Sequence, residues 1–177
     1  MITLVSDTHA EGEYELRGAL ARSVRTADRV VHAGDFVAES VLETFQREAD
    51  RLLAVHGNAD APAVSDRLPP ARVFEEHGSR IAVTHTQRGG EMALVYFARE
   101  RGADVVVSGH THRPLAKWVE GVLLLNPGSH ERPRGGHPTY AELTVENGIV
   151  EGAIRTTDGT SLEAIAPEGQ AVSGDGR

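Results

Sequence analysis

The chain of 177 residues is 40% hydrophobic and 25% charged, enough apolar content for one folded core, and its apolar runs are too short to cross a bilayer. A formal net charge of −8, from 26 acidic and 18 basic residues, argues against binding duplex nucleic acid through its backbone. With no cysteine, disulfides and thiolate metal sites are excluded, so a metal would have to be held by His, Asp, Glu or Asn.

Met1 leads straight into Ile2-Thr3-Leu4-Val5, without a basic leader or a cleavable apolar segment, and the expectation is a cytoplasmic protein. Ile2 to Ser6 reads as a first strand that ends in Ser6-Asp7-Thr8-His9. Tyr14 to Val24 has helical spacing, with Leu16, Ala19, Leu20 and Val24 on one face. A second strand, Arg29 to His32, runs into Ala33-Gly34-Asp35. Glu39 to Ala49 is helical, and a third strand, Leu52 to Val55, runs into His56-Gly57-Asn58-Ala59-Asp60. This alternation is the signature of right-handed crossovers on a parallel sheet.

From Arg67 the pattern changes. Pro69-Pro70 marks a break, and Arg72 to Glu76 and Arg80 to Thr84 flank Gly78-Ser79 as a hairpin whose second arm ends in His85. Glu91 to Arg101 reads as a helix and Val105 to Val107 as a buried strand, followed by Gly109-His110-Thr111-His112. Beyond it, Leu115 to Val119 pairs with Val122 to Leu125 across Glu120-Gly121, and Tyr140 to Val145 with Ile149 to Arg155 across Asn147-Gly148. An α/β half followed by a β-rich half predicts two sheets packed face to face. A single domain over 1–166 is expected, with a frayed Gly/Ser/Ala-rich tail at 167–177.

The strand ends carry the chemistry. Asp7 and His9 follow the first strand, Asp35 the second, Asn58 the third, His85 the hairpin arm, and His110 and His112 the buried strand. Ligands of open α/β sheets bind at such carboxyl ends. His110 and His112, two apart on extended backbone, would point to one side and face one volume. Each residue also has a plainer reading: Asp7 and Asp35 as helix N-caps, Asn58 as a turn residue, His85 as a solvated loop histidine. It is the joint placement that points to a metal site.

The ordered set Asp7-x-His9, Gly34-Asp35, Gly57-Asn58-x-Asp60, His85 and Gly109-His110-x-His112 resembles the blocks of the calcineurin-like metallophosphoesterases. Asn126-Pro127-Gly128-Ser129 with Pro133-Arg134 is similar to the small branch that includes the YfcE-type phosphodiesterases. The resemblance implies an α/β fold, a four-layer αββα sandwich of two mixed sheets flanked by helices. It implies two divalent transition-metal ions, manganese first and iron, zinc, nickel or cobalt as alternatives. Asp7, His9, Asp35 and His112 would hold one ion, and Asp35, Asn58, His85 and His110 the other. Asp35, Asn58 and His110 are the candidate catalytic side chains. The implied reaction is hydrolysis of a small phosphate ester, a phosphodiester first, by a hydroxide held between the ions. Neither a membrane nor nucleic acid is an expected partner, and a homo-oligomer is compatible with the composition.

The chain also departs from the family pattern. Ala59 stands where the family often has a histidine positioned as acid for the leaving group, and Thr86-Gln87 where Gly-His is common. These departures favour a second reading, an interaction scaffold on the same fold with a degraded site, as in the retromer scaffold subunit related to this family. Against it, no ligand position is lost. His32, His56, His77, His130 and His137 are expected to be mostly solvated, with only His56 and His130 near the blocks.

Overall fold

The computed structural model describes residues 1–134 and 136–169. Of the expected tail, 170–177 therefore lies outside the described residues. The strands are β1 (Ile2–Val5), β2 (Arg29–His32), β3 (Leu52–Ala54), β4 (Ala71–Glu76), β5 (Ser79–Thr84), β6 (Val105–Val107), β7 (Pro114–Val119), β8 (Val122–Pro127), β9 (Thr139–Glu146), β10 (Ile149–Thr156) and β11 (Ser161–Ile165). The helices are α1 (Gly18–Thr26), α2 (Glu39–Glu48), α3 (Pro62–Ser65) and α4 (Gly90–Arg99).

Two mixed sheets form, in the orders β11-β10-β9-β1-β2-β3 and β4-β5-β6-β8-β7. Parallel pairs β1–β2, β2–β3, β5–β6 and β6–β8 lie inside them, flanked by antiparallel hairpins. The two C-terminal hairpins part company: β7–β8 completes the second sheet and β9–β10 returns to the first, where β9 runs antiparallel to β1. Strand alternation builds three apolar layers. Ile2, Leu4, Val105, Val107, Leu123 and Leu125 fill the space between the sheets. Val5, Val30 and Ala54 meet Leu20, Val24, Leu42 and Phe45 of α1 and α2. Ala82, Val106 and Leu124 meet Val95, Phe97 and Ala98 of α4. Helices, sheet, sheet, helix is the four-layer sandwich expected.

Three differences have local causes. α1 begins at Gly18, not Tyr14, because Arg17 is extended and Gly18 takes φ +63°, its successor Ala19 donating to the Thr157 carbonyl at 3.1 Å. Tyr14 and Leu16 have helical spacing but pack into the core from a loop. The β4–β5 turn is His77-Gly78, with Glu76 opposite Ser79. β11 is an edge strand exposed along most of its length, so Ser161 to Ile165 shows no alternation to read. Among the described residues, no helix is long and apolar enough to cross a membrane.

Candidate metal centre

The carboxyl ends of β1, β2, β3, β5 and β6 meet at one rim, and the loops leaving them are tied together by main-chain bonds. Asp7 N–H donates to Gly34 O at 3.0 Å, His9 N–H to Asp35 O at 3.0 Å, and Gly109 N–H to His85 O at 3.0 Å. These loops do not continue the strands. Asp7, His9, Asp35, His110 and His112 all have positive φ, between 46° and 70°. They are five of the nine non-glycine residues so placed among the described residues, and three of the others are hairpin-turn residues. Each such conformation costs on the order of 1 kcal/mol or more, and it persists where surrounding structure over-determines it.

The over-determination is visible. Asp60 accepts three main-chain N–H groups: Val37 on Oδ1 at 2.7 Å, and Gly57 at 2.7 Å and Asp35 at 3.2 Å on Oδ2. It staples the loop after β2 to the loop after β3. Its role was not read from the sequence, although its place in the Gly57-Asn58-x-Asp60 block was the available signal. Asp35 Oδ1 accepts the Ala59 N–H at 2.8 Å, and Asp7 accepts the His110 N–H on both oxygens, at 3.0 and 2.9 Å. Two glycines leave room for these carboxylates. A Cβ at Gly57 would stand 2.1 Å from Asp35 Oδ1, and one at Gly109 2.7 Å from Asp7 Oδ2. The plainer readings of the aspartates fall, since α1 and α2 are preceded by Arg17 and Ala38 and neither aspartate caps them.

Two groups of side-chain ligand atoms converge, each within 4.8 Å: Asp7, His9 and His112, and Asp7, Asp35 and His85. His85 is fixed through Nδ1 to the Ala33 carbonyl at 2.8 Å, and His112 through Nδ1 to the Arg132 carbonyl at 2.6 Å. A carbonyl only accepts, so both Nδ1 atoms carry the proton and both Nε2 atoms present lone pairs in the neutral ring. Those Nε2 atoms face acceptors: Asp35 Oδ2 at 3.2 Å and Asn58 Oδ1 at 3.1 Å for His85, and Asp7 Oδ1 at 3.4 Å for His112. His9 Nε2 is buried without a hydrogen bond, 3.1 Å from Asp35 Oδ2 and 3.9 Å from Asp7 Oδ1. Acceptors pointed at acceptors call for a proton or a cation between them, and the N/O donor set fits a divalent transition metal.

The charges show the same tension. Burial is the largest effect on Asp35 and pushes its carboxyl up. The hydrogen bond and charge of His85, the Ala59 N–H and the charge of His9 outweigh it and bring it down to about 2. Asp7 goes the other way, because burial outweighs the Ser6 hydroxyl and the His85 and His112 charges. Burial opposes the charged form of His85, but its hydrogen bond and charge pairing with Asp35 raise it on balance. Burial holds His9 below the usual imidazole range.

The expectation that His110 and His112 point together from extended backbone is corrected. Both are in the left-handed region, three and five residues past the end of β6, so strand alternation does not apply to them. His112 stacks on His9 with ring centroids 4.7 Å apart, while the exposed His110 stands edge-on to His85 at 5.3 Å. His110 joins neither close group through its ring. His32 and His130 are not solvated either. His32 is fully buried, bonded to Thr8 Oγ1 at 2.8 Å and stacked on Phe36, and His130 is buried against Tyr14 and Phe45. The Asn126–Ser129 segment, at the end of β8, supports the rim. Asn126 Nδ2 donates to Gly109 O at 2.8 Å, and Ser129 Oγ donates to Asp7 O at 2.7 Å.

The profile of the calcineurin-like phosphoesterase superfamily domain matches residues 1–148. The chain belongs to that superfamily. A relative from Bacillus subtilis, named probable metallophosphoesterase YsnB, is 34% identical over 170 residues, 93% of this chain and 95% of its own. Phosphodiesterase YfcE of Escherichia coli K12 is 31% identical over 109 residues, 58% of this chain and 57% of its own. Among solved structures, zinc-complexed Vps29 of Entamoeba histolytica superposes with a TM-score of 0.77 at 20% identity, covering 93% of this chain and 98% of its own, which shows a shared fold. With the family comes the class of chemistry, metal-dependent hydrolysis of a phosphoric ester.

Proposed function

We propose that the chain is a two-metal phosphodiesterase acting on small phosphodiesters. Asp7, His9, Asp35 and His112 would hold one ion and Asp35, Asn58, His85 and His110 the other, with Asp35 shared. The observation that carries this reading is the Asp35 carboxylate, whose Oδ2 has an imidazole Nε2 on either hand, His9 at 3.1 Å and His85 at 3.2 Å. When bound, the ions, manganese first among manganese, iron, zinc, nickel and cobalt, would supply Lewis acidity and lower the pKa of water.

The chain's own residues do the rest. Two carboxylates do not neutralise two divalent ions, so the centre stays cationic toward a phosphate anion. Asn58 offers its amide oxygen to the ion and keeps its NH₂ free to donate to an ester oxygen. His110, exposed beside His85, is the third candidate catalytic side chain after Asp35 and Asn58. The name phosphodiesterase borne by YfcE supports a diester substrate. The net charge of −8 and the lack of cysteine support a small substrate over nucleic acid and a cytoplasmic setting.

The scaffold reading is not favoured, because all seven candidate positions are retained and meet at one rim. Manganese-loaded protein is expected to hydrolyse bis-p-nitrophenyl phosphate. If the pure, loaded protein leaves every activated diester and monoester untouched, the reading is wrong.

A further inference from the structure

A cavity of about 620 Å³ lies against β9 and β10 and shares no residue with the metal centre. A second cavity, about 390 Å³, has Asn58 and His85 in its wall and so opens onto the centre's flank. We propose that this second cavity receives a flat aromatic arm of the substrate, and that the enzyme is therefore selective for phosphate esters carrying an aryl group or a nucleobase over those with only small alkyl groups. The proposal rests on the phosphoesterase reading and adds the substrate class to it.

Four features carry it. The volume is that of a small-ligand pocket. Beyond the two centre residues, Pro70, Ala71 and Phe97 give the wall an apolar stretch of the kind that gains by covering a ring, beside the polar Thr84, Thr86, Gln87 and His56. Phe97 is buried, and the Arg101 guanidinium lies over its ring at 3.8 Å, held by a 3.1 Å bond from Arg101 to the Phe97 carbonyl. The guanidinium so placed covers the Phe97 face and sets a planar cation in the wall, suited to a π-system near an anion. Finally, none of the described residues lining the cavity is Asp or Glu, in a chain of net charge −8. An anionic ester therefore meets no like charge there.

Thr86 and Gln87, directly after His85, line the cavity with His56. Gln87 is tied back, its Nε2 donating to Thr84 Oγ1 at 3.0 Å. A methyl arm would leave the apolar stretch of the wall wet, whereas a ring would cover it.

The test is calorimetric titration of manganese-loaded protein with phenylphosphonate and with methylphosphonate, which have no ester bond to cleave. The expected result is binding of the phenyl compound at least about tenfold tighter. Thr86→Trp, a substitution at an exposed rim position, should occlude the cavity and abolish that preference. Gln87→Trp provides an independent filling variant should the first fail to fold. Uridine 5′-monophosphate against ribose 5-phosphate separates the sources. A base preference that Thr86→Trp removes assigns a nucleobase arm, and phenyl preference without base preference assigns a simple aryl arm. Equal affinity for the two phosphonates, or a phenyl preference that survives both filling variants, overturns the proposal. If bis-p-nitrophenyl phosphate is nonetheless cleaved, the phosphoesterase reading stands without it. If no ester is cleaved and neither phosphonate binds, both fall.

Discussion

Histidines occupy two tiers of this molecule, and the same side chain does opposite work in each. In the rim tier, His85 and His112 spend Nδ1 on main-chain carbonyls and His9 leaves Nε2 unpaired, so lone pairs converge on Asp7 and Asp35. In the tier beneath, His32 bonds Thr8 through Nε2 and accepts the Gly34 N–H on Nδ1 at 3.2 Å, its ring 3.5 Å from that of Phe36. His130 bonds the Tyr14 hydroxyl through Nε2 at 2.7 Å, among aromatic rings. Burial keeps this lower pair neutral, with His32 held well below the usual imidazole range and His130 brought down to about 4. The upper tier thus turns lone pairs toward two carboxylates, whereas the lower tier ties loops together through both nitrogens of His32 and through Nε2 of His130, whose Nδ1 is buried without a partner among aromatic rings. The identity of each nitrogen's partner separates the two, and residue type does not.

Breaking the upper tier should have the largest effect. Asp35→Asn removes the charge between His9 and His85 at almost constant volume, and hydrolysis of bis-p-nitrophenyl phosphate is expected to fall to background with an unchanged circular dichroism spectrum.

The next prediction concerns what the upper tier lacks. Ala59 gives only its N–H, to Asp35, and brings no proton donor to the leaving group. Turnover should therefore fall steeply as leaving-group pKa rises. Ala59→His should recover up to ~10²–10⁴-fold on poor leaving groups, without altering metal content. Equal chemical-step rates for alkyl and aryl diesters would show that another group already donates.

The lower tier is tested by pH. The unfolded chain takes up a proton on the His130 imidazole near pH 6.5, while the folded chain keeps it neutral to about 4. The stability contribution is whole above pH 6.5 and falls by roughly 3 kcal/mol as the pH drops to 4. His130→Phe should flatten that part of the acid slope in denaturant melts, His32 supplying the remainder. An unchanged slope would contradict the neutral, buried assignment.

The smallest effect is expected from the link between tiers. Ser129 Oγ donates to Asp7 O and accepts the Arg132 N–H at 2.8 Å, and the Arg132 carbonyl orients His112. Ser129→Ala should weaken metal affinity by ~10–100-fold while sparing the fold. Competition with a metallochromic chelator would measure it.

Much of this was legible in the sequence because strand ends announce themselves. Val105 to Val107 running into Gly109-His110, or Arg29 to His32 into Gly34-Asp35, needs only pattern and spacing to be placed at a sheet edge. What the loops do after the edge was not legible. Positive φ at His110 and His112 depends on Asp7 accepting the His110 N–H from 103 residues away, and no local signal carries that. The burial of His32 and His130 depends on Phe36, Phe45 and Tyr14 closing over them from three separate segments. Tyr14 has helical spacing in the sequence, because a loop residue packed into the core leaves the same apolar pattern. Asp60 stands in its block without a visible role in the sequence, since its partners are main-chain N–H groups that the sequence does not distinguish.

The central claim is that the upper tier holds a pair of ions with Asp35 between them. Metal content of the purified, manganese-loaded protein, measured by mass spectrometry beside Asp35→Asn, tests it most directly. Two tightly held ions per chain are expected in the wild type, with at least one lost in Asp35→Asn. A wild-type chain that retains one ion or none, or an Asp35→Asn chain that keeps both, would contradict the account.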